Sequence, residues 1–199
     1  MPEQWTYEAV LSPAELALLR QLVGKSLDSV WTNSWSALVC ASGTNFLFCP
    51  EEVATPSPSH RYADVDRPRV ESDAPAPSKW DALVCRDLGK ITQINLLRGR
   101  VSFSPVVDGP PIDIRGVEIP AGPEFGLLFL EPGGTAIAAP ADDAPIVTVD
   151  LGIELSTDRG HVVTLFTQGL GHFVHVVADG ALPPELSAHV QRRRIEADN

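Results

Sequence analysis

The stretch VTVDLGIELS, residues 147–156, has the most regular pattern in the chain. Apolar residues occupy every second position and are separated by polar or small ones: Val147, Val149, Leu151, Ile153 and Leu155. Because side chains of a β-strand point alternately to opposite faces, this pattern predicts a strand with one buried and one solvated face. The turn Asp158-Arg159-Gly160 and the apolar runs at 161–168 and 172–178 extend it into a three-stranded meander.

Further strands are predicted on both sides of this meander. Residues 27–52 read as a hairpin turned at 41–45, and residues 91–97 and 101–107 as two strands turned by Arg98-Gly99-Arg100. Short half-buried strands follow at 112–119, and the apolar run 125–130 predicts a strand covered on both faces. We therefore expect about ten short, mostly antiparallel strands.

Two helices complete the pattern. Ser12-Pro13-Ala14-Glu15 has the form of a capping box and predicts a helix over 13–23 that ends at Gly24. Pro183-Pro184-Glu185 opens a C-terminal helix that is expected to end at Arg192-Arg193-Arg194. Since the helices do not alternate with strands, a parallel βαβ sheet is excluded. We expect an α+β, mainly β fold: a sandwich or a partly open barrel.

The 199 residues suit a single domain with a proline-rich loop or linker at 50–79. The sequence WSALVC at 35–40 recurs as WDALVC at 80–85, with five of six positions identical, which suggests an internal duplication. The alternative is therefore two related β units, 1–49 and 80–199, joined by that linker.

The formal net charge is −11, which argues against nucleic-acid binding and against docking on anionic membranes. Most of the imbalance lies in residues 101–158, where Arg115 is the only basic residue. The acidic residues of this segment are the predicted partner-binding set: Asp108, Asp113, Glu118, Glu124, Glu131, Asp142, Asp143, Asp150, Glu154 and Asp158. A surface of one sign favours a basic protein partner.

No stretch approaches the length of a membrane span, and residues 1–10 lack the pattern of a signal peptide. Cys40, Cys49 and Cys85 are an odd number, so free thiols and a cytoplasmic location are expected. The apolar runs around Cys40 and Cys85 predict buried, inert thiols rather than an activated nucleophile.

Motifs typical of hydrolases and metalloproteases are absent from the sequence, so we expect no enzyme activity and no cofactor. His161, His172 and His175 are near one another and are the residues that would suggest a metal. His172 and His175 are three residues apart, however, so on one strand they would point to opposite faces.

These observations favour a non-enzymatic module that binds and neutralises or escorts a basic partner, as immunity proteins, antitoxins and effector chaperones do. The first alternative is a cupin-like β-barrel that holds a small molecule or a metal, motivated by the three histidines and by Trp31, Trp35 and Trp80. The second alternative is a structural or assembly subunit.

Overall fold

The structure is a computed structural model, and it describes residues 6–54, 65–78, 81–104, 112–114, 117–119, 126–129, 146–167 and 173–196. These residues form two helices, α1 (Pro13–Arg20) and α2 (Pro184–Ser187). The strands are β1 (Thr6–Ala9), β2 (Ser26–Thr32), β3 (Ala37–Ala41), β4 (Thr44–Val53), β5 (Val65–Ser72), β6 (Ala82–Ser104), β7 (Ile112–Ile114), β8 (Val117–Ile119), β9 (Gly126–Phe129), β10 (Ile146–Thr157), β11 (Val162–Phe166), β12 (His175–Ala178) and β13 (Gln191–Ile195).

One open sheet joins eleven of these strands, and its main path runs β12-β11-β10-β6-β2-β3-β4-β5. Strands β9 and β13 also pair antiparallel with β6, whereas β1 pairs parallel with β10. Strands β7 and β8 form a separate two-stranded ladder. The predicted mainly-β, mostly antiparallel fold is confirmed, and the sandwich or barrel closure stays a prediction.

Strand β6 is 23 residues long, and the turn predicted at Arg98-Gly99-Arg100 is wrong. Gly99 lies inside the ladder opposite Val149. A Cβ atom on Gly99 would lie 2.9 Å from Leu151 Cδ1, so the glycine makes room for a neighbouring side chain and does not turn the chain.

Helix α1 begins as predicted, and its capping box is present. The Ser12 backbone N–H donates to Glu15 Oε2 at 2.8 Å, and the Glu15 N–H donates to Ser12 Oγ at 3.3 Å. The buried Glu15 carboxylate also accepts from the Val70 N–H at 3.1 Å and from Arg67 Nη1 at 3.0 Å. The cap therefore docks α1 on β5 as well as starting the helix.

The C-terminal helix is much shorter than predicted. Helix α2 covers four residues, and Arg192, Arg193 and Arg194 lie in strand β13 instead of at a helix end. Residues Gln191 to Ile195 pair with Arg98 to Ile94 of β6, so ladder hydrogen bonds along a free strand edge decide the conformation of this segment.

The proline-rich region 50–79 contains strand as well as irregular chain. Strand β4 continues to Val53, and Val65–Ser72 form β5. Pro50 of β4 and Pro68 of β5 lie opposite each other. Pro50 lies beyond the last residue pair of the β3–β4 ladder, and Pro68 lies on β5, the outermost strand of the main path. Prolines are tolerated there because few ladder hydrogen bonds are lost.

The strand residues of the two copies, 37–40 and 82–85, lie on either side of β2. Trp31 pairs with Leu38 on one side and with Leu83 on the other, and Thr32 pairs in the same way with Ala37 and Ala82. The internal duplication stays a prediction.

The main hydrophobic core draws on strands from both sides of β6. Val30, Val39 and Phe46 from the β2–β4 side share one cluster with Ile153 and Val163 from the β10–β11 side. Whether the chain is a single domain or two related β units stays a prediction.

Strand β10 is buried more completely than its alternation predicts, because Asp150 is also buried. The Asp150 side chain is 0% exposed and accepts from Arg98 Nε at 2.6 Å and from the Leu11 N–H at 2.8 Å. The expected solvated face is therefore interrupted at this position by a buried ion pair.

Replacing Arg98 by alanine should lower the free energy of unfolding by about 3 kcal/mol, because it leaves the Asp150 carboxylate buried without its cation. Urea unfolding measures the loss. Arg100→Ala, an exposed position on the same strand, is the matched control and should change stability by no more than about 0.5 kcal/mol. Equal effects of the two substitutions would contradict the role given to the ion pair.

The buried Glu15 carboxylate makes the free energy of unfolding depend on pH. Burial alone would raise the pKa of Glu15, but hydrogen bonds from Ser12 and Val70 and the charge of Arg67 hold it below its ordinary value of 4.5. The pKa of Glu15 is lower in the folded state than in the unfolded state. The ionised carboxylate therefore stabilises the fold above pH 4.5, and this stabilisation is lost as the pH falls through the folded-state pKa.

Glu15→Gln should therefore be less stable than the wild type at neutral pH, and the difference should shrink as pH falls below 4.5. Urea midpoints across this range measure it, with exposed Glu196→Gln as the charge-matched control. A Glu15→Gln difference that is constant with pH would refute this account.

Candidate functional site

The most exposed large apolar side chain in the described part of the chain is Trp35, which is 58% exposed. It contacts Phe173, which is 41% exposed, and the ring centroids lie 5.0 Å apart at an interplanar angle of 36°. The two residues come from distant parts of the sequence. Together they form an exposed aromatic pair at the β2–β3 end of the sheet.

The loop that carries Trp35 is held by the side chain of Asn33. Asn33 Oδ1 accepts from the Trp35 N–H at 3.0 Å, the Ser36 N–H at 2.8 Å and Ser36 Oγ at 3.0 Å. Ser34 has a φ of +73°, a left-handed conformation that costs energy for a residue with a Cβ atom. The loop is therefore specified by local hydrogen bonds.

The second half of the pair is fixed to the same loop. The Val174 N–H donates to the Ser34 carbonyl oxygen at 3.0 Å, and the Val174 side chain is buried in the core. Phe173 is consequently anchored by its neighbour. Both aromatic rings are presented by ordered backbone, which reduces the entropy lost when a partner binds them.

Only part of the predicted acidic set has a described position. Asp150 is buried in its ion pair with Arg98 and is not available at the surface. Glu154 accepts from Asn95 Nδ2 at 3.0 Å and from Arg192 Nε at 3.2 Å. Asp158 is exposed, and its Oδ1 accepts from the Lys90 N–H at 2.8 Å.

These three carboxylates therefore contribute to the fold, and only Asp158 among them lies in the open. Asp113 and Glu118 are register partners in the β7–β8 ladder. The remaining predicted residues lie outside the described part of the chain: Asp108, Glu124, Glu131, Asp142 and Asp143.

The histidines named by the sequence do not converge where they are described. His161 Nδ1 lies 2.7 Å from Asp179 Oδ2, and His175 stacks on Phe166 at the other end of β11. Hydrogen bonds from the Val162 N–H and from His161 hold the pKa of Asp179 below its ordinary value. His172 lies outside the described residues.

The cysteines are free thiols of intermediate exposure. Burial raises the pKa of both the Cys49 and the Cys85 thiol, which disfavours the thiolate needed for nucleophilic attack. Within the described ranges, no cluster of three or more histidine, cysteine, aspartate or glutamate side chains is arranged to hold a metal ion.

Comparison of the chain with protein-family models, with curated proteins and with solved structures finds no match. Neither α1 nor α2, the helices of the described residues, is long and apolar enough to cross a membrane.

Sequence reasoning named Trp35 but not its partner or its loop. The alternation of Trp31, Asn33, Trp35 and Ala37 predicts an unbroken strand, whereas residues 33–36 are a loop between β2 and β3. The cluster Asn33-Ser34 is a turn signal that favours the loop. No pattern in the sequence around Trp35 indicates its contact with Phe173, which is far away along the chain.

Removing the side-chain acceptor with Asn33→Ala should speed hydrogen exchange at the Trp35 and Ser36 amides and lower the free energy of unfolding by roughly 1 kcal/mol. Amide exchange followed by NMR checks both amides. Asn33→Asp keeps an acceptor at the same place and should preserve their protection. Loss of protection in both variants, or in neither, would contradict the loop geometry.

Proposed function

We propose that this protein is a non-enzymatic binding module that recognises a basic partner protein. The single observation that carries the proposal is the exposed pair Trp35 and Phe173, held on ordered backbone. Tryptophan is enriched among the residues that dominate protein–protein binding energies.

The negative charge of the segment 101–158 is the reason for proposing a partner with a basic surface. The segment 101–158 contains ten acidic residues and one basic residue, Arg115. A partner with a basic surface would be attracted to this segment, and electrostatic attraction raises the association rate and orients the encounter. We propose that the aromatic pair supplies the apolar contact and that acidic residues of 101–158 supply the attraction.

The acids proposed for this role are fewer than the ten predicted. Asp150 and Glu154 are engaged within the fold, so we assign the attraction to Asp108, Asp113, Glu118, Glu124, Glu131, Asp142, Asp143 and Asp158. Binding that neutralises or escorts a basic protein in the cytoplasm, as immunity proteins, antitoxins and effector chaperones do, is the activity we propose.

Immobilised protein incubated with lysate of its native host at low and at high salt tests this proposal. We expect a basic protein to be retained at low salt and released at high salt. With that partner purified, Trp35→Ala should raise the Kd roughly 30-fold, since truncating such a residue costs about 2 kcal/mol or more of binding free energy. Calorimetric titration measures the change.

Leu83→Ala is the matched control, because Leu83 is 43% exposed but is not part of the aromatic pair. It should leave the Kd unchanged. The double variant Asp142→Asn/Asp143→Asn should slow association and reduce its dependence on salt. The proposal fails if no protein is retained, or if binding responds to neither Trp35→Ala nor salt.

A further inference from the structure

A cavity of about 250 Å³ lies on the outer face of the sheet, on the side away from the core. Its floor is built from Trp31, Leu38 and Leu47, which are cross-strand neighbours on β2, β3 and β4. Val30, Val39 and Phe46, one position away on the same strands, face the core. An outer sheet face normally carries polar side chains, so this apolar floor calls for an explanation.

The wall of the cavity is formed by residues 74–78, which follow β5 and lie beside the floor. The wall is tied down at its start, where the Ala74 N–H donates to the Asn45 carbonyl oxygen at 3.3 Å and Asn45 Nδ2 donates to the Ala74 carbonyl oxygen at 3.1 Å. At its end, the Ser78 N–H donates to Asp81 Oδ2 and the Asp81 N–H donates to the Ser78 carbonyl oxygen. With both ends fixed, the cavity is formed before any ligand arrives, as binding pockets usually are.

Among the described residues that line the cavity, one carries a charge. This residue is Asp81, and no lysine or arginine is among the other described lining residues. The Trp31 ring is fixed, because its Nε1–H donates to Ser29 Oγ at 2.9 Å. An indole ring and a carboxylate beside one apolar cavity are the two groups that attract an organic cation, through cation–π and ionic attraction.

We propose that this cavity is a binding site for a small organic cation with an apolar body, such as an arylalkylammonium ion. The apolar body lies on Trp31, Leu38 and Leu47, and the ammonium group lies toward Asp81. The volume exceeds the 150 Å³ or so of an engineered cavity that binds benzene, so a ring with a short amine chain fits. Asn33 and Ser36 of the Trp35 loop line this cavity, whereas Trp35 and Phe173 are not among its described lining residues. The inference does not depend on the proposed partner protein.

Titration of the full-length protein with phenethylammonium, followed by the backbone amide signals of β2 and β3 in NMR spectra, tests the proposal. We expect saturable shifts at residues around Trp31. The anion 3-phenylpropionate, which has the same ring and the opposite charge, should produce none. Trp31→Leu should weaken binding about fivefold, and Asp81→Asn about tenfold.

Asp81→Asn keeps an oxygen that can accept from the Ser78 N–H, so the wall should stay in place while the charge is lost. Asp87→Asn is the matched control: it makes the same charge change on β6 at an exposed position outside the cavity, and asparagine tolerates its φ of +56°. Binding by Asp87→Asn should equal that of the wild type. Absence of binding, equal binding of the anion, or equal weakening by both substitutions would overturn the proposal.

Discussion

The structure depends on the backbone pairing of one strand, β6, with most of the sheet. Its first part pairs with β2, its second part pairs with β10, and β13 and β9 pair along the second part as well. Both ladders contain bulges, and within each part of β6 a shift of one residue would reverse the faces to which its side chains point. The position of the Trp35 loop relative to β10 therefore follows from β6.

Two buried carboxylates explain why charge counted along the sequence differs from charge at the surface. Asp150 is held by Arg98 and Leu11, and Glu15 by Ser12, Val70 and Arg67. Each carboxylate joins chain segments that are far apart in sequence, since a buried charge is stable only with compensating donors. Within the acidic segment 101–158, Asp150 therefore belongs to the interior of the fold and not to the surface charge.

Features set by neighbouring residues were predictable from the sequence, and features set by distant contacts were not. The Ser12–Glu15 cap and the strand at 147–156 depend on local chemistry and on alternation, and both are present. Gly99 reads as a turn because the sequence does not show Leu151 beside it. The aromatic pair and the wall at 74–78 likewise bring together segments that no local pattern connects.

We propose that β6 joins both sides of the sheet into one cooperative unit, which holds the aromatic pair and the cavity in place. Native-state hydrogen exchange in low urea tests this claim most directly. We expect the slowest amides of β2 and β3 to open with the same free energy as those of β10. If the β2–β3 amides open at a free energy lower by about 2 kcal/mol or more while β10 stays protected, the two sides fold separately and the claim is wrong.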